Sequence, residues 1–258
     1  MTKLTILWAT VNVCPNSDEK DAKFHVENIS NEDNRSLQLL GVRNSSVFLS
    51  NCTIWVEGIT DRRYFRRYLN LYQDTLEPKE RQFKEDWHYS FVEYGGANVT
   101  HWSFLDTTDD PIDVERLCGK LFLIADADNA KGAKAERLQR LREKLKERFC
   151  PLKCKEVENL LSPEILKTVI NKYEKRDAAF QEFKQEDYQC EPLGEFIEKK
   201  ILNQNQSRKH KYSDNGTVRE KGDFCEKALA EIKSFEDLSE EAKEIARKLY
   251  NFVKANNG

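Results

Sequence analysis

Glycine and proline are scarce in this sequence, ten and six of 258 residues, which argues against a disordered, collagen-like or low-complexity chain. A long apolar run is missing too. The mean hydropathy is −0.76, and no stretch approaches the roughly 20 apolar residues that a transmembrane helix needs. Neither sign of charge dominates: 42 Lys and Arg face 45 Asp and Glu, a formal net charge of −3. That excludes a polycation holding nucleic acid through bulk charge alone, though local basic patches stay open. Cysteine is thinly spread, seven residues and so an odd number, which fits a reducing cytoplasm better than a secreted disulfide framework. Cys150 and Cys154 are spaced C-x3-C with no second Cys/His pair at zinc-finger distance, so they read as core thiols rather than zinc ligands. A signal peptide is not expected either. Residues 4–13 are apolar, but Thr5, Thr10 and Asn12 interrupt them and no small-x-small cleavage site follows, so they read as a strand.

What is present can build a core. Hydrophobic residues make up 39% and charged ones 34%, a chain that buries an interior beneath a heavily charged surface; its length fits two domains, or one with an appendage. Residues 1–45 hold two strand-like pieces, 4–13 and 23–29, and a short helix at 36–41. They are too little to bury a core alone and read as an arm. From residue 51 onward, short β-rich runs alternate with helical ones. Strands are expected at 52–56, 88–92 and 120–125, with a short extended piece at 152–155. Helices are expected at 61–72, 131–149 and 163–173. In the second of these Leu138, Leu141, Leu145 and Phe149 repeat at helical spacing. Alternating strands and helices imply right-handed crossovers, hence an α/β fold with a parallel sheet covered on both faces. The remainder, about 175–258, is helical and polar. It carries the basic run Arg208-Lys-His-Lys211 and a last helix capped by Ser239.

In such a sheet the ligand site lies at the carboxyl ends of the strands, and acids stand there. The first strand runs into Glu57-Gly58, the third into Asp126-Ala-Asp128, and the extended piece into Glu156-Val-Glu158. Asp61 follows Glu57 by four residues, about one helical turn, so both carboxylates can face one volume. An isolated Asp-x-Asp after a strand is often only a turn or a cap. The order of the whole set is what points to chemistry. Several carboxylates at one sheet edge outline a site for hard divalent cations such as Mg²⁺ or Mn²⁺, and a pair of such ions suits phosphodiester hydrolysis.

Ile54-Trp-Val-Glu-Gly-Ile-Thr-Asp61, Phe91-Val-Glu-Tyr-Gly-Gly-Ala-Asn98, Leu121-Phe-Leu-Ile-Ala-Asp-Ala-Asp128 and Glu156-Val-Glu-Asn159 together resemble the TOPRIM domain of topoisomerases, bacterial primases and OLD-family (overcoming lysogenization defect) nucleases. The Glu-Gly-x-x-Asp form and the Glu-x-Glu-Asn run are most similar to the OLD branch. The resemblance covers about residues 46–171 and extends weakly to the C-terminus. It implies a Rossmann-like TOPRIM sheet and a two-metal endonuclease acting on DNA, with RNA as the other substrate. By the same resemblance Glu57 would be a metal ligand and general acid or base, Asp61 a second ligand beside it, Asp126 and Asp128 the holders of the other ion, and Glu158 the branch's additional acid. Lys221, in Lys221-Gly-Asp-Phe-Cys-Glu-Lys-Ala228, would match the lysine that supports the transition state. Its spacing departs from the pattern, and a solvated surface lysine is the competing reading.

OLD proteins usually carry an ABC-type ATPase ahead of the nuclease, whereas this sequence has no Gly-x4-Gly-Lys-Ser/Thr loop. Residues 1–45 resemble the end of such an ATPase. An ATPase in cis or in trans, anti-phage defence, a cytoplasmic setting and a C-terminal nuclease part at 46–258 are therefore expected, with the oligomeric state left open. Arg62, Arg66, Arg208, Lys209 and Lys211 are candidates for phosphate contact; for the arginines, including Arg63 and Arg67, an ion-paired solvent face is the alternative. The four histidines share no spacing and read as structural. The competing function is a catalytically silent TOPRIM module that docks an ATPase or a nucleic acid.

Overall fold

The computed structural model describes residues 7–11, 24–28, 50–95, 102–103, 112–113, 120–126, 133–202 and 208–258. Strands β1 (Leu7–Val11) and β2 (Phe24–Asn28) form an antiparallel pair, Leu7 opposite Asn28 and Val11 opposite Phe24, where two strands were expected. The helix expected at 36–41 lies outside the described residues.

The chain then enters β3 (Cys52–Val56), α1 (Ile59–Asp74) and β4 (Ser90–Glu93). A small parallel pair follows, β5 (Trp102–Ser103) with β6 (Ile112–Asp113). Next come β7 (Lys120–Ala125), α2 (Ala133–Leu145) and β8 (Phe149–Pro151). Strands β4, β3, β7 and β8 make one four-stranded sheet in that order, parallel throughout. Helices flank it, so the chain is α/β.

The two faces follow from the period of two along each strand. Cys52, Ile54 and Val56 of β3 and Phe122 and Ile124 of β7 join the main core. There they meet Tyr64, Phe65, Tyr68 and Leu69, the apolar stripe of α1. Trp55, Leu121 and Leu123 point the other way and pack on Leu141 and Leu145 of α2. All five residues of β3 are buried, as a strand covered on both faces must be.

Several boundaries differ from expectation. Helix α2 stops at Leu145 rather than 149, because Lys146 takes a left-handed φ of 51°, which ends a helix. Phe149 fits the helical spacing, yet it opens β8 and reaches the same core cluster as Leu141 from the edge of the sheet. The extended segment is therefore 149–151, just ahead of the expected 152–155. Strand β4 starts two residues late, at Ser90.

Helices α3 (Pro163–Glu174), α4 (Gln185–Tyr188) and α5 (Leu193–Phe196) lead to the hairpin β9 (Ser213–Asp214) and β10 (Thr217–Val218), then to α6 (Lys221–Glu231) and α7 (Glu240–Ala255). Ser239 caps α7 as expected, its Oγ accepting from the Ala242 amide at 3.3 Å. Helices α6 and α7 both pack on α1, and Phe224, Ile245, Leu249 and Val253 share the main core with β3. The C-terminal helices thus complete the interior of the α/β unit. Cys150 and Cys154 are buried free thiols; burial pushes Cys150 up to about 11, which suits an inert core thiol. Among the described residues, no helix is long and apolar enough to cross a membrane.

Candidate functional site

Glu57, Asp61, Asp126, Glu158 and Lys221 line one cleft of about 310 Å³. Each comes from a different turn or helix start. Glu57 directly follows β3 and Asp126 directly follows β7, so two neighbouring parallel strands deliver carboxylates to the same edge. Gly58 is the cap residue of α1, which puts Asp61 in that helix's first turn, where the N-terminal dipole favours a carboxylate.

The surrounding backbone is tied down. Tyr94 and Gly95 donate their amides to the carbonyls of Val56 and Glu57, at 3.0 and 2.9 Å. The Tyr94 hydroxyl donates to the Ile124 carbonyl at 3.1 Å. Gly95 has a φ of 61°, left-handed backbone that glycine adopts without strain, and it forms part of the cleft wall. Glu156 and Glu158 flank the start of a short 3-10 turn, Val157–Leu160. Buried Asn159 holds that turn. Its Oδ1 accepts from the Glu156 amide at 3.0 Å, and its Nδ2 donates to the carbonyls of Tyr188 and Glu191. The Asn of the Glu-x-Glu-Asn run is therefore a scaffold residue.

Lys221 is the first residue of α6. Glu220 before it has a φ of 54°, a left-handed conformation that a side chain bears at a cost of about 1–3 kcal/mol. The Lys221 Nζ lies 2.9 Å from Glu156 Oε2 and 3.8 Å from Glu158 Oε2. The first contact is an ion pair at hydrogen-bonding distance and the second an ion pair beyond it. The Glu158 side chain is 0% exposed. Such a carboxylate is costly unless a cation compensates it.

Protonation follows from this crowding. Burial pushes Glu158 up to about 7, Lys221 opposes the rise, and Glu156 and Asp61 add to it. Asp61 is pushed to about 6, mainly by burial and partly by Glu57, against the pull of Lys221. For Lys221, burial acts against the ammonium, but Glu158 and Glu156 outweigh it and hold the pKa above the ordinary lysine range. A carboxylate whose folded pKa exceeds its unfolded one withdraws stability as pH rises between the two. For Glu158 that window runs from about 4.5 to about 7. Glu158→Gln is therefore expected to melt above the wild type at pH 8 and together with it near pH 4, as followed by calorimetry in chelator. Equal melting temperatures at pH 8 would show that the Glu158 charge costs nothing.

Among the described residues, no three His, Cys, Asp or Glu side chains already stand close enough together to hold a metal ion. The donor chemistry nonetheless fits a hard divalent cation: four carboxylates line one cleft, and among the described residues no donor hydrogen-bonds the two buried oxygens of Glu158. Asp128 lies outside the described residues.

The basic candidates divide. Arg62 is engaged with Glu85 at 2.7 Å and Glu93 at 3.3 Å, and Arg66 with Glu85 at 3.5 Å. Arg63 reaches Glu226 at 3.1 Å, and Arg67 donates twice to the Ile232 carbonyl, tying α1 to the end of α6. Arg62, Arg63 and Arg66 thus follow the ion-paired alternative, and Arg67 is a structural tie. Arg208 leans on Glu198, 3.8 Å away, while Lys209 and Lys211 stand exposed. The contact of Glu156 with Lys221 was not read from sequence. Its only sequence signal was the acidic pair Glu156-Val-Glu158, which names no partner 65 residues away. No protein family, curated protein or solved structure matches this chain.

Proposed function

We propose that the chain is a divalent-metal-dependent phosphodiesterase of the TOPRIM type, an endonuclease on DNA or RNA in the manner of the OLD branch. One observation carries the reading: Glu57, Asp61, Asp126, Glu158 and Lys221, spread over 165 positions of sequence, line a single cleft at the carboxyl edge of a parallel sheet.

Glu57, Asp61, Asp126 and Glu158 would hold Mg²⁺ or Mn²⁺, which supplies a water of lowered pKa and neutralises charge on a phosphate. The chain's own groups do the rest. Lys221 offers a positive charge in the cleft lining: its ammonium pairs with Glu156, and the side chain stays 42% exposed, open to a phosphate from solvent. Glu57 stands at the end of a strand fixed on both sides, a rigid mount for a group that takes or gives a proton. Gly58 and Gly95 line the wall, where the lack of side chains lets a sugar-phosphate backbone come close. An ATPase acting with it in anti-phage defence belongs to the same proposal.

Supercoiled plasmid and single strands incubated with the purified chain test this. Nicking is expected with Mn²⁺ or Mg²⁺ and is expected to vanish in chelator. Calorimetric titration with Mn²⁺ separates the alternative, because a silent module would bind no divalent ion and cut nothing.

A further inference from the structure

Beyond the cleft, the described residues contain a group of stacked rings that ends at His210. Tyr173, near the end of α3, lies nearly parallel to Phe224 of α6 (15°, centroids 6.2 Å apart) and to His210 (19°, 4.2 Å). Tyr212 meets both at steep angles, 5.8 Å from Tyr173 and 4.9 Å from His210. Those three separations put Tyr212 beside the stacked pair, level with the gap between the rings and not above His210. The outer face of the half-buried His210 is therefore left without an aromatic partner among the described residues.

The surroundings are basic where it counts. Lys209 and Lys211 flank the ring in sequence and are exposed, as is Lys175 at the end of α3; among the described residues none of the three ammonium groups has an ion-pair partner. The nearby acids are committed elsewhere. Glu174, fully buried, accepts from the Tyr212 hydroxyl at 2.9 Å and the Lys209 amide at 3.1 Å. Glu198 accepts from the amides of Tyr212 and Ser213, and Asp223 takes the Tyr173 hydroxyl at 2.7 Å and pairs with Lys227. These bonds hold the loop and its ring in place, so little ordering is left for a ligand to impose. Asp223 and Phe224 belong to the first turn of α6, which begins with Lys221. One turn of helix thus joins the rings to the cleft.

We infer that His210 is a stacking platform for an unpaired base, with Lys209 and Lys211 on the adjacent phosphates, and that the substrate is single-stranded nucleic acid or a duplex with a single-stranded segment. This deepens the nuclease reading of the cleft and rests on it for what happens to the strand after it binds. A duplex keeps its bases stacked on one another and offers no free face to His210, whereas every unpaired base has one.

The test is binding of short DNA and RNA single strands, and of the matching duplex, to the full chain in chelator, where no cutting occurs. Each strand carries one 2-aminopurine, whose fluorescence reports stacking. Single strands are expected to bind more tightly than duplex. His210→Ala is expected to weaken them by roughly tenfold and to abolish the fluorescence change, and His210→Phe to keep both. Lys209→Glu with Lys211→Glu should weaken single strand and duplex alike and flatten the salt dependence. A preference for either sugar supports the platform and names the substrate. Unchanged single-strand binding by His210→Ala, or an equal loss on duplex, would overturn it. Metal-dependent nicking, measured separately, decides the cleft: a chain that stacks bases on His210 and never cuts retires the nuclease reading alone.

Discussion

Glu57→Ala is expected to lower metal-dependent nicking by about 10²- to 10⁴-fold, the usual worth of a positioned proton-transfer group, and Asp126→Ala is expected to lower it too, by removing a ligand of the ion. Glu57→Ala should melt no lower than the wild type in chelator. The two expectations have one cause. These carboxylates share the cleft with Asp61 and Glu158, and Glu57 already raises the pKa of Asp61 by repulsion. Deleting a charge from such a group relieves the metal-free fold while removing an oxygen that the chemistry needs. Function and stability therefore move in opposite directions, which a change acting through misfolding cannot imitate. Glu147→Ala, on an exposed turn, should leave both unchanged. If Glu57→Ala nicks plasmid at the wild-type rate, the catalytic assignment fails.

Lys221→Met is expected to act the other way on stability. Removing this ammonium leaves Glu156 and Glu158, 7% and 0% exposed, with no cation at their oxygens, and stranded buried charge is among the costlier defects a fold can carry. Lys221 itself is nearly half exposed, so solvent softens the loss. The variant should melt lower than the wild type in chelator, and Mn²⁺ should narrow the gap by supplying the missing positive charge. Its nicking rate should fall by about 10²- to 10³-fold, comparable to losing one transition-state donor. Lys221→Arg should recover the melting temperature better than the rate, because a planar guanidinium can pair with the carboxylates without restoring a compact ammonium. A Lys221→Met protein that melts and cuts like the wild type would return this residue to the solvated surface.

The parts of the site differ in how far sequence alone exposes them. Glu57 and Asp126 are legible because each ends an apolar run, and a buried parallel strand that stops at an acid presents it at the ligand edge. Lys221 is nearly illegible. Its local context is an ordinary polar helix start, and what sets it apart, the approach to Glu156 and Glu158, depends on α6 packing against α1 and α3. The arginines of α1 mislead in the opposite sense. Their spacing suits a phosphate-binding face, but Glu85, from the segment between α1 and β4, reaches back to both Arg62 and Arg66. His210 has no motif at all; stacking on Tyr173, 37 positions earlier, gives it a context.

Periodicity and punctuation determined the elements: the apolar runs of β3 and β7, the one-sided stripe of α1, the Ser239 cap. These are local matters, because a strand's alternation and a helix's cap are satisfied by neighbours in the chain. Where the runs meet other runs escaped that logic. Phe149 obeys the helical spacing of α2 and still lies in β8, since the free edge of β7 offers its backbone partners and the same core accepts its ring. Tertiary packing alone decided which acids share a volume, which cation stands among them and which rings stack. Burial and charge pairing act through space, and no spacing along the chain encodes them.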